Sequence, residues 1–292
     1  ANIANSLELP FTGIYGVKVV DLDSGQTVYE KNANLPLVPA SNQKLITLYS
    51  ALQVLDLEEQ VGTSIHYSGA IKKGKLDGDL YFKFRGDPEL DQKRFNALMQ
   101  EINNAGITYI NGDVVIDDTE FDEEYFGHGW PVDDTRFCYS APISPIIYNR
   151  NCYFVNVHTR SNGELDFSSE TKPYTFDIIN RSQQIDFDKY CKLELKAYGD
   201  NSYSITGCYE AKNFPMLLKI AVQNPRKNIA NVISAFLRSN NIRYKAIAFD
   251  QMPFKIQELA STDSRPIRSL LYNMSKDSNN MYAEVIFKKI SA

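Results

Sequence analysis

The chain has 292 residues, 43% of them hydrophobic and 23% charged, with a net charge of −5 at pH 7. That is a globular composition with ample material for a core, divided into one large domain or two to three small ones. No basic stripe of the kind a nucleic-acid partner requires is present, and no apolar run approaches the roughly 20 residues of a membrane span.

In chain order, the β-branched and aromatic residues 13–22 predict a strand. Asp23-Ser24-Gly25 predicts a turn and Thr27-Val28-Tyr29 a returning strand. Pro39-Ala40-Ser41-Asn42-Gln43-Lys44 then runs into Leu45, Leu48, Leu52 and Leu55, with Ala51 between them. This apolar stripe at helical spacing, free of Gly and Pro over residues 40–60, predicts a helix starting near Ser41. Residues 61–90 read as strand-rich and end at the turn Arg85-Gly86-Asp87-Pro88. Residues 91–105 form an amphipathic helix pattern whose apolar face is Phe95, Leu98, Met99 and Ile102. Residues 107–117 return to strand, with a tight turn expected at Asn111-Gly112. Residues 150–222 alternate in the manner of strands. Residues 227–240 read as a helix, 242–249 as a strand, and Ile267, Leu270, Leu271 and Met274 as the apolar face of a last helical run.

Four cysteines, Cys138, Cys152, Cys191 and Cys208, occupy the middle of the chain. They make no Cys-x-x-Cys, and His66, His128 and His158 have no metal-binding spacing, so no metal site or cofactor is expected. An even count with moderate loops suits two disulfides in an oxidising compartment. Three pairings are open, Cys138–Cys152 with Cys191–Cys208 being the simplest, and four unpaired buried thiols are the alternative.

The chemistry concentrates at Ser41 and Lys44. Residues three apart share a helix face, so an amine can reach the hydroxyl and take its proton, the arrangement of an activated serine that has no histidine base. A hydroxyl at a helix start also faces free N–H groups that favour developing negative charge. The plain alternative is a serine that caps the helix. A second Ser-x-x-Lys, Ser169 to Lys172, is about what chance supplies, and Pro173 pulls its lysine out of helical geometry. Near the other end stands Ser278-Asn279-Asn280, just after the last helical run. Alone it reads as a polar helix junction.

Strand, turn, strand and a helix opening with Ser-x-x-Lys resemble the start of the serine β-lactamase and transpeptidase fold, and Ser278-x-Asn280 matches that superfamily's second signature. Arg85-Gly86-Asp87-Pro88, Gly112-Asp113 with Asp117-Asp118, Gly129-Trp130-Pro131 with Asp133-Asp134, and Ser140-Ala141-Pro142-Ile143-Ser144 narrow the match. Together with the cysteine positions, they make the whole chain resemble the D-alanyl-D-alanine carboxypeptidases/endopeptidases of the penicillin-binding protein 4 type, the low-molecular-mass class C group.

The resemblance implies an α+β fold, a transpeptidase-like domain in two pieces, residues 1–60 and 259–292. A large mixed α/β insertion, residues 61–258 and expected to form two smaller domains, interrupts it. It implies Ser41 as nucleophile, Lys44 as its base, Ser278 as proton relay and Asn280 as holder of the substrate amide. Asp134 matches a position that reads the free amino end of a diaminopimelate side chain, where a carboxylate suits an ammonium; otherwise it is an exposed loop aspartate. The pairings Cys138–Cys152 and Cys191–Cys208, peptidoglycan peptides and β-lactams as partners, no cofactor, and export to a bacterial periplasm are implied too. A chain starting at Ala1 fits a matured exported protein, and a trimmed one equally.

The third signature of the superfamily, Lys-Thr-Gly, does not occur in these 292 residues. The expectation is therefore a C-terminally incomplete copy, impaired as a catalyst. The resemblance implies that this signature lies on a strand edging the active site and supplies one oxyanion-hole donor, whose loss costs on the order of 100-fold. Without it, the N-terminal hairpin is expected to expose strand edges and apolar surface. A non-catalytic peptidoglycan-binding or scaffold protein is the reading from a different class. A β-lactamase fits less well, since no glutamate can be assigned to activate a deacylating water.

Overall fold

The computed structural model describes residues 13–169, 175–186 and 190–291, which fall into two units, Ala1–Gln43 and Lys44–Ala292. Lys172 and Pro173 of the second Ser-x-x-Lys lie outside the described residues.

In the first unit β1 (Val17–Val20) and β2 (Thr27–Lys31) form an antiparallel hairpin. Its turn is closed by the Asp21 carboxylate, which accepts from the Ser24 amide and hydroxyl, both at 2.7 Å. Gly25 there takes φ +68°, the left-handed backbone that glycine adopts without a steric penalty. The unit ends in a 3-10 turn, Ala40–Gln43, which holds Ser41. Ser41 thus stands in a tighter turn, not in the α-helix expected to begin there.

The second unit opens with α1 (Lys44–Val54). This helix stops before residue 60 because the Asp56 carboxylate accepts from the Glu58 amide at 3.0 Å, a local bond that competes with helix continuation. Leu48, Ala51 and Leu55 join a helical core with α4 (Ile267–Asp277) and α5 (Asn280–Ser291). The expected stripe is only half used. Leu45 and Leu52, with Ile46, Tyr49 and Val54, are exposed, because α1 is apolar all round and one side alone meets α4 and α5.

Between α1 and α4 lie two further cores. The first is built on β3 (Gly62–Tyr67), β4 (Ile71–Lys72), β5 (Lys75–Leu76), β6 (Leu80–Phe84), α2 (Gln92–Asn104), β7 (Tyr109–Ile110) and β8 (Val114–Asp117). The second is built on β9 (Cys152–Thr159), β10 (Leu165–Ser169), β11 (Asp177–Asn180), β12 (Gln183–Gln184), β13 (Leu193–Ala197), β14 (Ser202–Tyr209) and β15 (Met216–Ala221). The chain then returns to the first core with α3 (Pro225–Ser239), β16 (Ile247–Phe249) and β17 (Gln257–Asp263).

The main sheet of the first core has the order β16-β8-β6-β3-β17, parallel from β16 to β6 and antiparallel beyond. Alternation along its strands sends Ile65, Phe82, Phe84, Val114 and Ile116 against Phe95, Leu98, Met99 and Ile102 of α2 and Ile229, Val232, Ile233 and Leu237 of α3. The apolar face read for α2 is thus the buried one, and Asp91 caps the helix by accepting from the Arg94 amide at 2.8 Å. On the opposite face Lys83 meets Asp117 at 3.0 Å.

One expected turn is not a turn. β7 pairs with β5 of a small three-stranded sheet, whereas β8 pairs with β6, so Asn111-Gly112 carries the chain between two sheets. Gly112 is needed for close approach: a Cβ there would lie 2.6 Å from the Gly78 carbonyl oxygen.

In the second core, the sheet β10-β9-β15 and the sheet formed by β11, β14, β12 and β13 share Tyr153, Val155, Val157, Tyr203, Tyr209 and Ile220. The outgoing and returning chains meet in a neck below the helical core. The Val61 amide donates to Ser264 Oγ at 3.0 Å, the Ile267 amide to the Glu59 carbonyl at 2.9 Å, and the Arg268 amide to the Leu57 carbonyl at 3.1 Å.

Candidate active site

α4 and α5 meet at a sharp corner, and Ser278 makes it. Ser278 is the C-cap of α4 with φ 50° and ψ 38°. This left-handed conformation usually falls to glycine, and a residue with a Cβ adopts it at a penalty of about 1–2 kcal/mol. A serine held there points to use of its side chain. The neighbouring Asn279 starts α5: its carbonyl accepts from the Ala283 amide and its side chain from the Tyr282 amide, each at 3.3 Å. Asn280 is then the first helical residue.

The corner faces the first residue of α1. Lys44 Nζ donates to Asn280 Oδ1 at 2.6 Å and lies 3.4 Å from Ser278 Oγ. Burial pulls its amine below the ordinary lysine value, outweighing the opposite pull of the Glu284 carboxylate. A lysine shifted that way is a better base near neutral pH.

The other end of the Asn280 amide is fixed as well. Nδ2 donates to the Tyr139 carbonyl at 2.8 Å, so both polar atoms are committed and the amide has one orientation. Tyr139 sits in a 3-10 turn, Cys138–Ser140, anchored on β9 by the Cys138–Cys152 disulfide, Cα–Cα 5.2 Å. The following segment is clamped by buried Asn151, whose Nδ2 donates to the Pro142 and Ile146 carbonyls, both at 3.0 Å. The Asp134 carboxylate, half-buried in the 3-10 turn Val132–Asp134, stands near the exposed Tyr139 phenol. Burial and that carboxylate hold the phenol above its ordinary value.

Lys44, Ser278 and Asn280 are therefore brought together directly, and Asp134 lies in the 3-10 turn just before the one that carries Tyr139. Ser41 closes the first unit, in the turn that hands the chain to Lys44. Cys191–Cys208, Cα–Cα 5.5 Å, ties the stretch leading into β13 to β14. Both pairings implied by the resemblance are present. Among the described residues no group of three or more His, Cys, Asp or Glu side chains could hold a metal ion.

Two residues at this site were not read from the sequence. Tyr139 acts through its backbone carbonyl, which leaves no mark on residue type. Glu284 is legible in principle, since it follows Asn280 by four residues and so shares its helix face.

Comparison with known proteins adds the context. A family model described as D-Ala-D-Ala carboxypeptidase 3 (S13) family matches residues 1–292. The D-alanyl-D-alanine carboxypeptidase DacB of Haemophilus influenzae is 29% identical over 288 residues, 97% of this chain and 60% of that protein. A D-alanyl-D-alanine carboxypeptidase of an Actinomadura species is 29% identical over 290 residues, 95% of this chain and 54% of its own length. The crystal structure of H. influenzae penicillin-binding protein 4 superposes with a TM-score of 0.85 at 28% identity, covering 94% of this chain and 62% of that one. The same protein in complex with a β-lactam gives a TM-score of 0.78, covering 94% and 60%. The fold is thus the α+β, transpeptidase-like one. The chain spans a little over half to three fifths of the length of these relatives.

Proposed function

Because the chain belongs to the D-Ala-D-Ala carboxypeptidase 3 (S13) family, we infer that it carries the acyl-transfer centre of a serine D-Ala-D-Ala carboxypeptidase/endopeptidase that acts on peptidoglycan stem peptides. Ser41 Oγ attacks the carbonyl carbon between the two D-alanines while its proton passes to the neutral Lys44 amine. The C–N bond then breaks, and Ser278 hands a proton from the Lys44 ammonium to the leaving amine. Water attacks the Ser41 ester with Lys44 again as base, and the hydroxyl is restored. A β-lactam enters by the same attack, but its leaving nitrogen stays tethered, so the adduct persists.

The observation that carries this reading is the position of Lys44 Nζ, 2.6 Å from Asn280 Oδ1 and 3.4 Å from Ser278 Oγ, with its amine lowered by burial. A base must be near the proton it moves and must have a suitable pKa. Asp134 is assigned to the ammonium of the substrate's side chain, an assignment supported by its half-buried carboxylate near Tyr139, whose carbonyl holds Asn280.

The neck at residues 57–61 and 264–268 supports a transpeptidase-like part, residues 1–60 plus 259–292, interrupted by two smaller domains. β17 runs to Asp263 within the inserted sheet, so the return crossing is drawn at residue 264. Two disulfides and bacterial relatives support export to an oxidising compartment such as the periplasm. No helix among the described residues is long and apolar enough to cross a membrane.

Intact-mass analysis of the protein as its gene encodes it, after incubation with a penicillin, tests the reading. One adduct on the parent and none on Ser41→Ala is expected. A parent that takes no adduct would overturn it.

A further inference from the structure

The face of α5 that presents Asn280 carries a carboxylate one turn further along, at Glu284. The side chain is half-buried under the Gly127–Trp130 loop, which comes so close that a Cβ on Gly127 would lie 3.0 Å from Glu284 Oε1 and 2.7 Å from the Trp130 Nε1. Trp130 packs on the apolar cluster formed by Met281 and Val285 of α5 with Ala141, Ile143, Ile147 and Ala221. The carboxylate is therefore held between a helix and an indole, in a place where a charge needs a reason.

Among the described residues Glu284 makes no hydrogen bond and no ion pair within 4.0 Å. Burial raises the Glu284 carboxyl above its ordinary value, opposed by three basic side chains: Lys288 on the next turn of α5, Lys44 on α1, and His128 on the covering loop. Two of these are engaged with other carboxylates. The Lys288 ammonium bonds Asp122, and His128 Nε2 lies 3.2 Å from Glu124. Lys44 is the one whose charge changes in the reaction proposed above.

We propose that Glu284 is a positioning residue of the acyl transfer, a carboxylate set behind Asn280 that stabilises the ammonium formed on Lys44 when it takes the Ser41 proton. The inference rests on the reading of Lys44 as base and extends it. The design separates contact from charge. The group 2.6 Å from Lys44 Nζ is a neutral amide oxygen, whereas the Glu284 carboxylate stands further back. A carboxylate in direct contact would keep the lysine protonated in the resting protein and remove the base. One at longer range favours the cation less, so burial still holds the resting amine low. As the proton arrives on Lys44, the same anion faces a full positive charge in a partly desolvated site and lowers the barrier.

The decisive experiment titrates Lys44 by competitive reaction with an amine-selective reagent, read by peptide mass, in the parent, Glu284→Gln and Glu284→Asp. Removing the anion should lower the Lys44 midpoint by roughly half to one pH unit, whereas the aspartate should keep it near the parent value. In the same variants, the pH profile of penicillin acylation should show a plateau lowered about fivefold to tenfold in Glu284→Gln and an acid limb moved to lower pH. Equal Lys44 midpoints in the parent and Glu284→Gln, or equal changes in both variants, would overturn the proposal. Should Glu284→Gln not fold, coupling must appear reciprocally: Lys44→Met should raise the Glu284 carboxyl titration followed by carbon NMR, and no rise overturns the idea. A parent that takes no penicillin but shows the Lys44 shift would fail the acyl-enzyme reading while leaving the charge coupling established.

Discussion

Lys44 and Asn280, 236 residues apart, are joined by a single hydrogen bond of 2.6 Å from amine to amide oxygen. Because the amide nitrogen is spent on the Tyr139 carbonyl at 2.8 Å, the oxygen has no choice but to face the lysine. Asn280→Asp tests this relationship. It places an anion in contact with Lys44 and a carboxylate oxygen against a carbonyl. The amine should rise, moving the acid limb of penicillin acylation to higher pH, and the plateau should drop about 100-fold or more. Acylation rates measured across pH would show both; an unmoved limb would contradict the contact.

The two disulfides should separate by function. Each closes a loop of the size for which the chain-entropy model gives about 3 kcal/mol, with sequence separations of 14 and 17. Only Cys138–Cys152 anchors the turn that presents the Tyr139 carbonyl. Replacing that pair by serine should lower both denaturant stability and acylation, whereas replacing Cys191 and Cys208 should lower stability alone. Acylation lost equally in the two variants would mean the first disulfide has no local role.

Gly86 is required twice over. Its φ is +81°, and a Cβ there would meet the Phe121 ring at 2.4 Å, while its amide donates to the Pro145 carbonyl at 2.8 Å. Gly86→Ala should destabilise the protein by about 2 kcal/mol or more, read from denaturant midpoints. A change below about 0.5 kcal/mol would show that the corner can relax.

Asp87, next in that corner, is a buried acid. Burial raises its carboxyl to about 6, against the pull of Arg94, whose guanidinium lies 2.9 Å from Oδ2 as an ion pair without hydrogen-bond alignment. A folded-state value above the unfolded 3.8 means the native protein holds its proton more tightly. The stabilisation is therefore complete below about pH 4 and is lost as pH rises through about 6, in total by up to about 3 kcal/mol. Asp87→Asn should abolish that slope, so the difference in unfolding free energy between variant and parent should grow in the variant's favour from pH 4 to 7. A constant difference would show that Asp87 titrates normally.

Much of this architecture was legible wherever a local rule and the tertiary context agree. The face Phe95, Leu98, Met99, Ile102 is buried as its period requires, and Ser278-x-Asn280 falls at a helix boundary because a helix signal ends just before it. Legibility failed where the decisive partner is remote. Asn111-Gly112 has hairpin chemistry, yet β7 and β8 find partners in different sheets. α1 reads as one apolar stripe, but which side is covered depends on α4 and α5, more than 200 residues later. Ser41 lies in a 3-10 turn because helix starts tighten in ways composition does not encode. Tyr139 holds Asn280 through its peptide oxygen, and any residue type could have done that.

The neck between residues 57–61 and 264–268 sets an order of assembly. α1 can find α4 only by closing a loop of about 200 residues, an entropic penalty that grows with the logarithm of loop length and falls once the intervening sheets have collapsed. A chain emerging from the ribosome makes Lys44 a full 236 residues before Asn280, so its amine waits through the synthesis of both intervening cores without the contact that positions it. Slow or faulty collapse of those cores would therefore silence the proposed catalytic centre without altering a single residue in it.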